Sequence, residues 1–149
     1  MWTVEEVQPD SPDAIAMLRV YFQELIDRYN GRPMPASEVD TEMAIHSSDG
    51  VAAFFVARFD GELAGCAGLR EWGALTRMYI AARFRRRGGG RALLEAVESA
   101  ARARGLERLQ IDTRDDLVEA RGLYLAAGYE EVEPFNQDPY AEHWFQKWL

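Results

Sequence analysis

Arginine and glycine are concentrated in one segment, Arg83–Leu94, which reads Arg-Phe-Arg-Arg-Arg-Gly-Gly-Gly-Arg-Ala-Leu-Leu. Glycine has no Cβ, so such a loop can bring backbone N–H groups close to an anion. The amphipathic helix that follows would direct the positive end of its dipole to the same point, and the guanidinium groups would add full charges. The segment therefore predicts a site for a diphosphate-type ligand at Arg85–Ala92.

The glycine loop departs from two common phosphate-binding motifs. A Walker loop ends in Gly-Lys-Ser/Thr, which is missing here. The dinucleotide fingerprint requires glycine or alanine at the position of Leu93. The pattern that remains is Arg85-x-x-Gly88-x-Gly90 between a predicted strand and a predicted helix. An ordinary flexible connection with solvated arginines is the alternative interpretation.

Composition limits the class of protein. The chain has 149 residues, a formal net charge of -8 and a hydrophobic fraction of 48%, which predict one folded domain over residues 1–149. The acidic balance argues against general nucleic-acid binding, and no apolar run is long enough to predict a membrane span. Two widely spaced histidines and the single Cys66 predict no metal site. The lone cysteine and an N-terminus without an export-signal pattern predict a cytoplasmic protein.

Hydrophobic periodicity and turn residues divide the chain into alternating elements. The predicted strands are Thr3–Val7, Val51–Arg58, Leu63–Arg70, Thr76–Ala81, Leu106–Thr113, Tyr129–Phe135 and His143–Trp148. The predicted helices are Asp13–Tyr29, Ser37 to about His46, Gly90–Arg104 and Asp116–Ala127. Hairpins come first and strand–helix–strand units follow, so we expect an α/β domain whose mixed sheet contains parallel pairing and has helices on both faces.

Two blocks of residues resemble one known family. Met78-Tyr79-Ile80 followed by Arg85–Leu94 is similar to the acetyl-CoA-binding motif of the GNAT superfamily of N-acetyltransferases. Downstream, Thr113, Ala120, Leu123-Tyr124 and Gly128-Tyr129 resemble the second conserved block of that family. The resemblance implies a GNAT-like fold, α/β or α+β, with a mostly antiparallel sheet of six to seven strands. It also implies an acetyl-CoA-dependent N-acetyltransferase without a metal.

The resemblance implies a set of residues that bind acetyl-CoA. The backbone at Met78 and Ile80 would hold the pantetheine arm in a splayed gap between strands, and amides of the glycine loop would hold the diphosphate. Leu117 stands where the family often has asparagine, which makes the sulfur end of the site more apolar. The complete predicted set is Met78, Tyr79, Ile80, Arg85, Arg86, Arg87, Gly88, Gly89, Gly90, Arg91, Ala92, Leu117 and Ala120.

Two catalytic residues are predicted. Tyr124 matches the family's tyrosine that protonates the departing thiolate, and a tyrosine pKa of about 10 keeps it a proton donor at neutral pH. A tyrosine packed in the core is the alternative. Glu71 is the predicted base that assists removal of the amine proton, although it could equally be a surface acid without a role. Cys66 lies in an apolar run, so we expect direct transfer without a covalent enzyme intermediate.

The predicted acceptor is a primary amine of a small molecule or peptide. Aromatic and carboxylate side chains suit a cation, and the predicted substrate-binding residues are Tyr21, Glu24, Tyr29, Trp72 and Tyr140. A non-catalytic acyl-CoA-binding regulatory domain is one alternative, and a nucleic-acid module that uses the arginine loop is another. Trp144 and Trp148, expected to be exposed, are candidates for a homodimer interface, and the oligomeric state stays open.

Overall fold

A computed structural model describes residues 1–45 and 50–149. In this part of the chain the helices are α1 (Pro12–Asn30), α2 (Ala36–Ile45), α3 (Gly89–Ala103) and α4 (Val118–Ala126), with a 3₁₀ turn at Ala82–Phe84 before α3. The strands are β1 (Trp2–Val7), β2 (Val51–Phe59), β3 (Glu62–Arg70), β4 (Leu75–Ile80), β5 (Arg108–Thr113), β6 (Glu130–Val132) and β7 (His143–Trp148).

The strands form two antiparallel sheets. The first has the order β1-β2-β3-β4, in which the β2–β3 hairpin turns at Asp60 and Gly61, both with positive φ. The second has the order β5-β7-β6, so the last strand of the chain lies between the two strands that flank α4. The predicted α/β class and the mostly antiparallel arrangement are confirmed.

The two sheets meet at one point and then diverge. Ala74 and Gln110 form an isolated parallel bridge, and the Gln110 amide donates to the Gly73 carbonyl at 2.9 Å. Gly73 has φ 95°, and a Cβ at this position would lie 2.8 Å from the Arg108 carbonyl oxygen. Only glycine therefore permits this close approach of the two strands. Beyond the bridge, β4 and β5 leave a gap at the centre of the fold.

Helices cover opposite faces of the first sheet because residues of β2 alternate between two hydrophobic clusters. Phe54 and Val56 pack with Leu18 and Phe22 of α1. Phe55 and its neighbours on the other face pack with buried leucines of α3. The α1 helix is fixed at both ends, since the Ser11 hydroxyl accepts from the Ala14 amide at 3.3 Å and Gly31 ends the helix in the left-handed region.

Several element boundaries differ from the sequence-based prediction. β6 spans only Glu130–Val132, because Pro134 has no N–H to donate to a neighbouring strand. α4 begins two residues later than predicted, since the Asp116 carboxylate binds Arg114 and stays in the preceding loop. The predicted end of α2 at His46 lies outside the described residues. Trp148 is exposed as expected, whereas Trp144 is partly buried and donates to Asn136 Oδ1 at 2.9 Å.

Candidate active site

Two cavities open where the sheets diverge. The first has a volume of about 530 Å³ and lies under α1 and α2, beside β5. The second has a volume of about 540 Å³ and extends from β4 to the N-terminus of α3. Five of the described residues line both cavities: Tyr21, Leu25, Met78, Leu117 and Ala120. Two adjoining chambers with a common wall can hold two ligands side by side, which is the arrangement that a transfer reaction requires.

The glycine loop presents backbone donors to the second cavity. Gly88 caps α3 with φ 86°, and the first intrahelical bond runs from the Ala92 amide to the Gly88 carbonyl at 3.1 Å. The amides of Gly89, Gly90 and Arg91 therefore have no acceptor within the helix, and these residues line the cavity. A row of free amides at a helix N-terminus is an anion-binding site.

Gly89 and Gly90 also have a packing role that the sequence did not indicate. A Cβ on Gly89 would lie 2.4 Å from the Trp2 ring, and one on Gly90 would lie 2.6 Å from Leu123 Cδ2. Trp2 Nε1 donates to the Arg87 carbonyl at 2.7 Å. The first strand therefore supports the loop from outside the cavity, and Trp2 fixes its position.

We expect Gly89→Ala to destabilise the protein by about 1–3 kcal/mol, because the new methyl group must displace the Trp2 ring. Gly122→Ala is the matched control. A Cβ at Gly122 in α4 meets nothing within 4 Å, so this change should stabilise the helix by up to about 1 kcal/mol. Urea unfolding of both variants measures the difference. Equal effects of the two substitutions would contradict the packing role of Gly89.

The Arg85 side chain lines the second cavity and is held there by contacts within the protein. Its Nη2 donates to Glu24 Oε2 at 2.5 Å, and its Nε donates to the Ile80 carbonyl at 2.8 Å. Glu24 also accepts from the Tyr79 hydroxyl at 3.3 Å. Arg85 therefore ties the loop to α1 and β4, and Glu24, predicted to bind substrate, lines only the second cavity.

The other loop arginines differ in their surroundings. Arg87 lies over the Phe59 ring at 5.3 Å, and Arg91 donates to the Ala126 carbonyl at 3.2 Å. Arg86 has φ 63°, is exposed and lines the second cavity. Among the described residues, none forms a hydrogen bond or ion pair with the Arg86 side chain. Its guanidinium group is therefore available to a ligand at the amide row.

The edge of β4 that faces the gap has backbone groups turned away from β3. The Ala81 amide donates to the Ala64 carbonyl at 2.8 Å, and hydrogen-bonded pairs alternate along an antiparallel ladder. The backbone N–H and C=O groups of Ile80 therefore face the gap. Those of Met78, two residues earlier in the strand, face it as well. The Ile80 carbonyl already accepts from Arg85.

Tyr124 combines a packed ring with access to the first cavity. It is 2% exposed, and its ring packs 5.9 Å from Tyr129 and 5.7 Å from Phe145, measured between centroids. It nevertheless lines the first cavity, and no described residue forms a hydrogen bond with its hydroxyl. Burial raises the pKa of Tyr124, so the phenol stays protonated at physiological pH.

The predicted substrate-binding residues do not all line the same cavity. Tyr21, Tyr29, Trp72 and Tyr140 line the first cavity. Tyr29 and Tyr140 pack edge to face at 5.6 Å near its mouth. Glu71 is exposed in the turn between β3 and β4 and lines neither cavity.

Asp112 is a carboxylate in the first cavity that the sequence-based prediction missed. Its Oδ2 accepts from Asn136 Nδ2 at 2.7 Å, and burial raises its pKa above the usual aspartate value. The sequence gives only a weak indication of this residue. Polar residues alternate with Leu109 and Ile111 along β5, so one face of the strand is polar.

Cys66 is buried and lines neither cavity. Its Sγ donates to the Arg77 carbonyl at 3.4 Å, and burial raises its pKa to about 12. A thiol with this pKa is not a nucleophile at neutral pH.

Comparison with known proteins identifies the family. The family model described as Acetyltransferase (GNAT) family matches residues 11–129. The chain therefore belongs to the GNAT acetyltransferase family, and it is a transferase. An IAA acetyltransferase of Azospirillum brasilense is 31% identical over 121 residues, which cover 76% of this chain and 77% of that protein. An uncharacterized N-acetyltransferase of Bacillus subtilis (strain 168), YsnE, is 34% identical over 58% of this chain and 63% of its own length.

Solved structures share the fold. An acetyltransferase from Streptococcus agalactiae has a TM-score of 0.75 at 16% identity and covers 99% of this chain and 98% of its own. A GNAT family acetyltransferase from Elizabethkingia anophelis, solved with acetyl-CoA bound, has a TM-score of 0.65 at 18% identity. The match covers 99% of this chain and 98% of that protein's chain. In the described part of the chain, no helix has the length and apolar character to cross a membrane.

Proposed function

We propose that the protein transfers an acetyl group from acetyl-CoA to a primary amine by direct attack, with Tyr124 as proton donor. One observation carries this proposal. The row of free amides at α3 opens to one cavity, Tyr124 opens to the other, and the two cavities share a wall at Met78, Leu117 and Ala120. A cofactor whose diphosphate binds these amides would therefore extend toward the Tyr124 hydroxyl.

The described residues fit a diphosphate-bearing cofactor. The amides of Gly89–Arg91 and the free Arg86 side chain would hold the diphosphate. The gap-facing backbone of Met78 and Ile80 would bind the pantetheine arm, and Tyr79, Arg85 and Arg87 would support this wall through contacts within the protein. When bound, acetyl-CoA supplies an activated thioester carbonyl.

The proposed transfer exchanges one bond and moves protons at two places. The acceptor nitrogen attacks the thioester carbonyl carbon, a C–N bond forms, and the C–S bond breaks. The amine gives up one proton to a base, and Tyr124 gives one to the departing sulfur, which leaves as the free thiol. The proton on the base then returns to the Tyr124 phenolate through water, so both groups end the cycle unchanged. The neutral, buried Cys66 supports direct transfer, because it offers no thiolate for an acyl-enzyme.

We propose Asp112 as the base and keep Glu71 as the competing prediction. Asp112 lines the first cavity, whereas Glu71 is exposed outside it. A carboxylate accepts a proton only when ionised, so activity should fall as the pH drops through the raised pKa of Asp112.

We expect Asp112→Asn to lower kcat by about 10²-fold or more and to remove this acidic limb, because the amide cannot accept the proton. Glu71→Gln is the matched control and should leave the pH profile of kcat unchanged. Steady-state thiol release from pH 5 to 9 measures both variants. If Glu71→Gln lowered kcat and removed the acidic limb while Asp112→Asn did neither, Glu71 would be the base.

Acetyl-CoA binding and turnover test the proposed function as a whole. At a concentration 100 times Kd, binding adds about 2.7 kcal/mol of stability, and for a chain of this size we expect a Tm increase of about 5–10 °C. Amine-dependent release of free thiol then tests transfer. Binding without thiol release across a broad amine panel would instead support a non-catalytic acyl-CoA-binding domain.

Two further properties remain sequence-based proposals. We propose a cytoplasmic protein, which the single buried cysteine supports. The exposed Trp148 remains a candidate for a homodimer contact.

A further inference from the structure

Two arginines hold the start of α4 against α1, one from the side of each cavity. Arg28, in the last turn of α1, lines the second cavity, and Arg114, which follows β5, lines the first. Both contact the segment 116–119, where α4 begins. Because α4 carries Tyr124, the position of this segment affects the proposed proton donor.

The start of α4 lacks the side-chain cap that fixes many helices. Leu117 occupies the N-cap position, and its side chain cannot accept a hydrogen bond from the first free amides. The helix spans only nine residues, and helices of this length depend on contacts with the rest of the fold. Tyr124 is the buried side chain of this helix. Contacts that hold its first turn therefore control where the phenol lies.

Arg28 forms the main contact between α1 and α4. Its Nη1 donates to Glu119 Oε1, and its Nη2 donates to the Asp116 carbonyl and, at 3.4 Å, to Glu119 Oε2. Two bonds to one carboxylate and a third to the backbone match the planar guanidinium group, and the ammonium of a lysine cannot reproduce them. We call these contacts of Arg28 with Asp116 and Glu119 the α1–α4 clamp. The clamp fixes the direction of the first turn of α4 as well as its distance from α1.

Arg114 holds the same segment from the other side. Its Nε and Nη2 donate to the two carboxylate oxygens of Asp116 at 2.9 Å each, and its Nη1 donates to the Leu25 carbonyl of α1 at 3.2 Å. Arg114 is 9% exposed, so its replacement would also disturb folding. The Arg28 side chain is 28% exposed and can be replaced with a smaller effect on stability. Arg28 is therefore the residue through which the clamp can be tested.

The clamp lies beside the wall that the two cavities share. Leu25 of α1 and Leu117 and Ala120 near the start of α4 line both cavities. Arg28 lies about one helical turn beyond Leu25, and Glu119 is adjacent to Ala120. The clamp therefore holds together the two helices between which the cofactor and the acceptor would meet.

The charge of Arg28 is compensated within the protein. Besides the clamp, its Nη1 lies 3.7 Å from Glu24 Oε2, which also accepts from Arg85 at 2.5 Å. The four side chains Arg85, Glu24, Arg28 and Glu119 line the second cavity with alternating charges that sum to zero. Arg28 therefore offers little net charge to an anionic ligand, and its contacts favour a role in holding α4.

We propose that Arg28 is a positioning residue for acetyl transfer, which holds the first turn of α4, and through it Tyr124, against α1. This inference rests on the proposed function and adds a residue to it. In this role Arg28 neither accepts nor donates a proton in the reaction. Its loss should therefore lower kcat and leave both the Kd of acetyl-CoA and the shape of the pH profile unchanged.

Arg28→Met and Glu119→Gln remove the clamp from its two sides. We expect each to lower kcat on the order of 10-fold, because a small displacement of a catalytic group has a large effect on rate. The double variant should lose no more than either single variant, since all three lack the same contact. Arg28→Lys should recover part of kcat, because it keeps the charge without the planar geometry. Steady-state thiol release measures kcat, and calorimetry measures the Kd of acetyl-CoA.

Arg19→Met is the matched control for the loss of an ion pair on α1. Arg19 Nη1 donates to Asp40 Oδ1 of α2 at 2.8 Å, and neither residue lines a cavity. This variant should keep the kcat of the wild type. If Arg19→Met lowered kcat as much as Arg28→Met, the effect would come from a general loss of helix packing, and the proposal would be wrong.

The Tyr124→Phe background separates positioning from a folding defect. If Arg28 acts through the Tyr124 hydroxyl, Arg28→Met should have no further effect on kcat once that hydroxyl is absent. A folding defect would lower kcat by the same factor in both backgrounds and would overturn the proposal. An unchanged kcat with a weaker Kd for acetyl-CoA would also overturn it, because Arg28 would then be a cofactor-binding residue.

Amide hydrogen exchange tests the clamp without turnover. In the ligand-free protein, Arg28→Met should speed exchange in the first turns of α4 by about two- to fivefold, the value of a partly exposed ion pair, and leave α3 unchanged. Unchanged protection of α4 would refute the clamp. If no amine releases thiol from the wild type while α4 loses protection in Arg28→Met, the proposed function fails and the clamp stands. Normal turnover and normal protection of α4 in Arg28→Met would mean the opposite.

Discussion

Replacing Tyr124 with phenylalanine should lower kcat by about 10²–10⁴-fold, the usual contribution of a positioned proton donor. Acetyl-CoA affinity should change little, because the substitution removes only the hydroxyl of a residue that lines the first cavity and not the second. Burial raises the pKa of Tyr124, so the loss should be the same from pH 6 to 9, where the phenol stays protonated. Pre-steady-state thiol release measures the chemical step, and calorimetry measures binding.

Tyr129→Phe is the matched control for this result. Tyr129 is a buried neighbour of Tyr124, but it lines neither cavity, and its hydroxyl donates to Glu98 Oε2 at 3.0 Å. Its removal should lower stability and leave kcat unchanged. If Tyr124→Phe retained full turnover while Tyr129→Phe lost it, the assigned proton donor would be wrong.

Replacing Lys147 with methionine should destabilise the protein by about 3 kcal/mol, because it leaves a buried carboxylate without its main counter-charge. Lys147 Nζ donates to the Glu98 oxygens at 3.0 and 3.2 Å and to the Ala127 carbonyl at 2.9 Å. Glu98 is 6% exposed. We expect Tm to fall by about 6–12 °C in a calorimetric scan.

The ion pair also connects β7 and α3 to the end of α4, the helix that carries Tyr124. The double variant Glu98→Gln with Lys147→Met should be more stable than Lys147→Met alone, because a neutral amide can still accept from Tyr129. A double variant less stable than the single one would show that the charge on Glu98 is not the cause of the loss.

The sequence predicted the elements and the cofactor side of the site because these depend on local patterns. Periodic apolar residues placed the helices and strands within a few residues. Gly88 was identified because glycine lets backbone N–H groups come close to an anion, and in the structure this residue has φ 86° at the start of α3. The resemblance around Tyr79 and Tyr124 rested on short contiguous blocks, and the family assignment is confirmed over residues 11–129.

The acceptor side depends on contacts between residues far apart in the sequence. The insertion of β7 between β5 and β6 brings Asn136 to Asp112 at 2.7 Å. The bulge in β4 that buries Arg77 has no glycine to indicate it. Glu24 was predicted to bind substrate because a carboxylate suits a cation, and its pairing with Arg85 required the loop to fold back onto α1. Local periodicity does not determine any of these contacts.

A crystal structure of the protein with acetyl-CoA would test the central claim most directly. The account predicts that the diphosphate accepts from the amides of Gly89–Arg91 and contacts Arg86, while the thioester sulfur lies within hydrogen-bond reach of the Tyr124 hydroxyl. A diphosphate bound away from this loop, or a sulfur atom separated from Tyr124 by packed side chains, would contradict it.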